Sequence, residues 1–149
     1  MPRIRRESTV TWEGSLSRGA GMVDAASSGS FSLPFTLASR IADPGGKTSP
    51  EELLAAAHAC CFTSSLAGEV ARAGGTVGRL DVTCVVTMDE VEGGDHRIVA
   101  SALEARAGVE GLDEDGFAAA AEAADRGCPF SALLRAGASV SVSARLQSS

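Results

Sequence analysis

The sequence lacks an uninterrupted run of about 20 apolar residues, the length a membrane-spanning helix requires, so no membrane association is expected. It also lacks the marks of a leader. Met1-Pro2-Arg3-Ile4-Arg5-Arg6-Glu7-Ser8 is basic, but the apolar stretch of a secretory signal does not follow it. A cytoplasmic location is the expectation. Lysine is almost missing, with Lys47 alone beside scattered arginines, and the net charge is -6. Such a balance argues against nucleic acid as a partner. Cys60, Cys61, Cys84 and Cys128 form no Cys-x-x-Cys pair and no zinc-type spacing, so no metal site is expected. No motif for a flavin or a nucleotide is present either. With no internal repeat and no dividing linker, residues 1–149 are expected to form a single domain.

What is present is 44% hydrophobic residues, enough for a real core. A strand is predicted over about 5–14, with Val10 and Trp12 on one face. Short strands near 19–25 and 29–34 follow as a meander, and Asp43-Pro44-Gly45-Gly46 reads as a loop. Ser49-Pro50-Glu51-Glu52 spells a helix start: Ser49 caps, Pro50 takes the first position, and Glu52 completes a capping box. The helix should run to about Ala73. Leu53 to Leu66 is apolar nearly all the way round, which predicts burial on several sides.

Residues 79–89 then alternate, with Leu80, Val82, Cys84, Val86 and Met88 on one face. Gly93-Gly94 turns the chain into an antiparallel partner over 96–106. An Ala-rich helix is predicted over about 113–126. Cys128-Pro129 opens a short helix ending near Gly137. A last strand carries Val140, Val142, Ala144 and Leu146 on one face. The fold class is α+β with largely antiparallel sheet around a buried central helix.

The residues alone leave the chemistry open. Cys60 and Cys61 lie within an apolar helix, where free cysteines most often serve as small core side chains. Cys84 fits that role best. Cys128 stands at a helix N-cap, where backbone N–H groups favour a thiolate, though Cys-Pro also occurs as plain capping. His58, one turn before Cys61, reads either as a base for the thiol or as a satisfied core histidine. Arg40, taken alone, is surface charge.

A resemblance goes further. Ser49 to Phe62, through Ala57-His58-Ala59-Cys60-Cys61, resembles the central helix of OsmC-type proteins, and Cys128-Pro129-Phe130-Ser131 resembles their resolving-cysteine motif. Val10-Thr11-Trp12-Glu13-Gly14, Arg18-Gly19-Ala20-Gly21 and Ser39-Arg40 are similar to the osmotically inducible branch. The resemblance covers nearly the whole chain in order. It implies an OsmC-like fold, an intertwined homodimer and a thiol-dependent peroxidase acting on organic hydroperoxides in the oxidative stress response. By it, Cys61 is the peroxidatic cysteine and Cys128 its disulfide partner. Arg40 holds the thiolate and Glu51 holds Arg40, with Arg18 a second candidate for the arginine. Leu54, Phe62 and Phe130 are expected to line an apolar substrate pocket. No cofactor is implied beyond an external dithiol reductant of the lipoyl type. Two other classes stay open, a redox sensor and a non-catalytic ligand-binding member of the same fold.

Overall fold

The computed structural model describes residues 2–147, which form two compact units, residues 2–53 and 54–147. The first unit holds a meander of three strands, β1 (Thr9–Glu13), β2 (Ala20–Asp24) and β3 (Ser32–Phe35), in antiparallel order β1-β2-β3. Gly21 pairs with Trp12 on one side and Phe35 on the other, and the two rings lie 5.5 Å apart. A Cβ at this position would stand 2.5 Å from the Phe35 ring and 2.9 Å from Trp12, so only glycine lets them meet there. The first strand is shorter than predicted because β2 ends at Asp24 and leaves residues 5–8 no ladder partner.

One element was not anticipated. A five-residue helix, α1 (Leu37–Ile41), carries Arg40. It is capped by Thr36 and Ser39, which exchange side chain and backbone bonds of 3.0 Å. A single turn has no room for an apolar period, and a Thr–Ser box lacks the usual Glu or Gln.

The long helix α2 (Pro50–Arg72) starts and stops where its signals predict. Ser49 Oγ accepts the Glu52 N–H at 3.2 Å. The Glu52 carboxylate, however, takes the Thr48 hydroxyl at 2.8 Å and not the Ser49 backbone of the expected box. The helix buries one stripe, His58, Phe62, Leu66 and Val70, spaced by four. Within one chain the rest of the helix is half-buried or exposed. By length and composition α2 also meets the requirement for a membrane span, against the sequence expectation; the same properties serve a helix whose stripe enters a protein core.

In the second unit, β4 (Thr76–Glu90) and β5 (His96–Glu110) form a long antiparallel hairpin, and Gly93 and Gly94 turn it at φ of +93° and +83°. Two helices follow, α3 (Glu114–Gly127) and α4 (Pro129–Arg135). They carry the chain over to β6 (Ser139–Leu146), which pairs parallel to β5, the one parallel ladder among the described strands. A helical crossover makes that direction accessible, whereas a tight turn cannot. Among the described residues the elements are therefore mixed α+β, with a central helix. The core of this unit joins Phe62, Leu66 and Val70 of α2 to Leu103, Ala105 and Ala107 of β5 and to Phe117, Ala120, Ala121 and Ala124 of α3. α3 lies against β6, and Phe62 and Phe117 are the largest side chains of this core.

Candidate active site

Three consecutive residues of α2 meet three environments. Phe62 is buried, Cys61 is half-buried against the core, and Cys60 is exposed. Each step turns about 100° round the helix, so the two adjacent thiols cannot share one setting. Cys128 is fully buried at the joint between α3 and α4. It ends the first helix and caps the second, with extended backbone at φ -84°, ψ 113°. Pro129 suits the first position of α4 because it has no N–H to leave unpaired. The Ser131 N–H donates to Cys128 Sγ at 3.5 Å. Arg135 and Asp125, 2.7 Å apart, tie the C-terminal ends of the two helices flanking the cysteine.

This joint brings Cys128 to Cys61. The Cys61 thiol is pushed above the ordinary thiol value, first by burial and then by a hydrogen bond with the Cys128 thiol. A hydrogen bond from the Phe130 backbone acts the other way, and nearby Cys60 and Cys128 add to the rise. A thiolate is the reactive form, so Cys61 in this setting needs a positive charge to ionise readily at neutral pH.

Arg40 and Glu51 are also brought together, within the first unit. Ser39 Oγ donates to Thr48 O at 2.7 Å, which fixes α1 beside the start of α2. Arg40 Nε then donates to Glu51 Oε1 at 2.7 Å. The expected two-point pairing is not formed: Glu51 Oε2 is buried and has no hydrogen-bond partner among the described residues. Arg18 is exposed in the loop before β2, where its own N–H donates to Ser15 Oγ at 3.3 Å.

His58 makes no hydrogen bond to Cys61 among the described residues. It is fully buried, and both ring nitrogens are taken: Nδ1 lies 2.7 Å from Ser101 Oγ and Nε2 lies 2.8 Å from Ser131 Oγ. Three residues turn the helix by about 300° and leave Cys61 roughly 60° round from His58. Burial is the main force pushing the His58 pKa down; Asp125 opposes it and Arg135 adds to it. Burial thus favours the neutral ring, in which one nitrogen donates and the other accepts. Cys84 joins the same cluster, its Sγ 3.2 Å from Ser101 Oγ and 3.8 Å from His58 Nδ1.

The expected substrate-lining residues divide. Leu54 lines a groove of about 420 Å³ with Arg97, Ile98, Leu133, Leu134, Gly137 and Ala138. Phe62 is 0% exposed and belongs to the core cluster. Phe130 is 38% exposed, at the surface of α4. Sequence reasoning missed Ser101, Ser131, Asp125 and Arg135 as parts of this region. Ser131 stood within the Cys128 motif, and Ser101 was a polar residue on the inward face of an alternating strand. Either signal was available. No group of three or more His, Cys, Asp or Glu side chains among the described residues is placed to hold a metal ion.

Comparison with known proteins speaks for the family and the fold. The family model described as OsmC-like protein matches residues 43–143. Peroxiredoxin OsmC of Escherichia coli (strain K12) is 35% identical over 133 residues, 89% of this chain and 92% of that protein. Peroxiredoxin OsmC of Shigella flexneri matches at the same identity and coverage. Among solved structures, an organic hydroperoxide resistance protein from Elizabethkingia anophelis superposes with a TM-score of 0.76 at 22% identity, over 99% of this chain and 100% of that one. The organic hydroperoxide resistance protein OhrB of Bacillus subtilis gives 0.72 at 22% identity, over 93% and 97%. At such identity these structures speak for the fold alone.

Proposed function

Because the chain belongs to the OsmC-like protein family and is a peroxidase, we propose that Cys61 and Cys128 together reduce organic hydroperoxides to alcohols. The packing of Cys61 against the core cluster that holds Cys128 carries this reading. The Cys61 thiolate attacks the terminal peroxide oxygen. An S–O bond forms, the O–O bond breaks, and the departing alkoxide takes a proton and leaves as the alcohol. Cys61 is then a sulfenic acid. The Cys128 thiolate attacks that sulfur, an S–S bond forms, and hydroxide leaves to become water. An external dithiol of the lipoyl type reduces the disulfide by exchange and is itself oxidised. Thiols that stay reduced between turnovers fit the cytoplasm.

Substrate preference follows from the groove at Leu54. Leu54 lies seven residues before Cys61, about two turns along the same side of α2, and Leu133 and Leu134 belong to the helix that Cys128 caps. A hydrocarbon tail buried there gains roughly 0.8 kcal/mol per methylene. Two methylenes are worth about a tenfold preference over hydrogen peroxide, which has no apolar surface to bury. The test is kcat/KM for cumene hydroperoxide against hydrogen peroxide with dihydrolipoamide as reductant. Equal values would remove the apolar site.

The reading also includes a homodimer with a shared site. Glu51 and Cys61 stand ten residues apart on one helix, about 15 Å along its axis. One guanidinium cannot serve both within a chain. Antiparallel pairing of two α2 helices would set Arg40 and Glu51 of one chain against Cys61 of the other. Support comes from the single buried stripe of α2, from the unpartnered Glu51 Oε2, and from Val10, Met22 and Ile41, which stay exposed in the first unit. A charge-assisted hydrogen bond to the thiolate is worth about 1.5–3 kcal/mol. Arg40→Ala should therefore lower kcat/KM at pH 7 by roughly tenfold or more. Its sign with pH is fixed by the thiol: without the cation Cys61 ionises at higher pH, so the rate profile of the variant should move to the alkaline side and recover there. A variant with an unshifted profile would count against the role of Arg40, and a fully active monomer against the shared site.

A further inference from the structure

We propose that His58 is a positioning residue for the second half of this reaction, holding Cys128 through Ser131 so that its thiolate meets the Cys61 sulfenic acid. The inference rests on the reading of Cys61 and Cys128 given above. It starts from the buried cluster that the oxidation step does not use. His58 Nε2 and Ser131 Oγ are 2.8 Å apart, and both residues are fully buried. The backbone N–H of the same Ser131 donates to Cys128 Sγ at 3.5 Å. Thus one residue of α4 is gripped by α2 through its side chain and holds the cysteine through its backbone. Cys61 stands three residues after His58 on that same α2. The anchor therefore references both sulfurs to one helix.

The geometry matters because Cys128 sits at a break. Its extended backbone separates two helices, and α4 is only seven residues long. Without a fixed point such a joint can pivot. In the closing step the Cys128 thiolate must approach the sulfenic sulfur in line as the S–S bond forms and hydroxide leaves. A misplacement of about 1 Å in such a step can cost up to about a hundredfold. The other half of the cluster gives an internal control. His58 Nδ1 meets Ser101 Oγ on β5, 2.7 Å away, and Cys84 Sγ lies beside that serine. Among the described residues no hydrogen bond ties Ser101 or Cys84 to Cys61 or Cys128. Losing it should disturb the core as much as losing the Ser131 side, without reaching the joint.

The test separates oxidation from closure in single turnover. Reduced protein is mixed with one equivalent of cumene hydroperoxide and quenched at intervals. Sulfenic acid is trapped with dimedone, and the Cys61–Cys128 disulfide is measured by non-reducing mass spectrometry. A glutamine amide reaches where Nε2 stands, and an asparagine amide where Nδ1 stands. His58→Asn and Ser131→Ala should form sulfenic acid within about twofold of the unaltered rate but close the disulfide about ten- to a hundredfold more slowly. They should also accumulate over-oxidised Cys61. His58→Gln and Ser101→Ala should close it at close to the unaltered rate. Ser131→Ala removes only one oxygen and keeps the test alive if a His58 variant does not fold. Normal closure in folded Ser131→Ala, or closure slowed as much in Ser101→Ala, overturns the proposal and leaves the thiol pair intact. An unaltered chain that never forms the Cys61–Cys128 disulfide overturns both.

Discussion

Cys61→Ser is expected to reduce peroxide consumption to the rate of buffer alone, whereas Cys128→Ser is expected to consume about two equivalents, one to reach the sulfenic acid and one the sulfinic acid, and stop. The asymmetry comes from which sulfur gives up electrons. A serine hydroxyl does not ionise near neutral pH and is a poor nucleophile toward peroxide oxygen, so the first variant has no first step. In the second, Cys61 still attacks, but the sulfenic acid has no neighbour to close with. It then stays open to further peroxide and climbs to sulfinic acid, which thiols do not reverse. Cys60→Ser should leave turnover unchanged, because that side chain points to the exposed side of α2. Cys84→Ser should do the same, since Cys84 bonds to Ser101 and not to either thiol of the pair. The measurement is NADH-free: peroxide remaining against time, followed by mass spectrometry of the cysteines. A dominant Cys60–Cys128 linkage in the wild-type chain, or turnover surviving Cys61→Ser, would show the nucleophile to be misassigned.

How much of this arrangement could be read beforehand depends on the range over which each residue acts. The start of α2 is local chemistry, and Ser49, Pro50 and Gly74 marked both its ends correctly. Cys128 at the cap of α4 is local as well, since Pro129 and the residues after it define the cap. The α1 turn was missed because five residues carry no period. The parallel setting of β6 was missed because strand direction is decided by the crossover and not by the strand's own alternation. The His58 cluster joins residues 43 and 73 positions apart in sequence, and no pattern in one chain announces such a meeting. A general rule did allow for it: a buried imidazole must satisfy two nitrogens. The rule required two polar partners on facing elements, and Ser101 and Ser131 are those partners.

Phe62→Ala is expected to cost about 3–5 kcal/mol of folding stability while leaving the preference for cumene hydroperoxide over hydrogen peroxide unchanged. Its place beside Cys61 in sequence made it an attractive substrate contact. The 100° step of the helix instead turns it from the half-buried thiol into the centre of the core, where it is 0% exposed. Its cluster includes Ala105 and Ala107 on β5 and Ala120, Ala121 and Ala124 on α3. Alanines have no side-chain freedom to swing into a vacated space, so the cavity should persist and the loss should fall toward the upper part of the range. Against a total of about 5–15 kcal/mol for a domain, this is the largest single-residue effect on stability expected here. Urea unfolding should show the midpoint falling with little change in slope, as a loss of stability without a change in exposed surface requires. Phe130→Ala is the counterpart: with 38% of its surface exposed it should cost little stability, and if its ring contacts substrate it should lower the cumene hydroperoxide preference. The two measurements together separate core from pocket. A Phe62→Ala chain that unfolds like wild type but loses its preference for the bulky peroxide would return that ring to the substrate site.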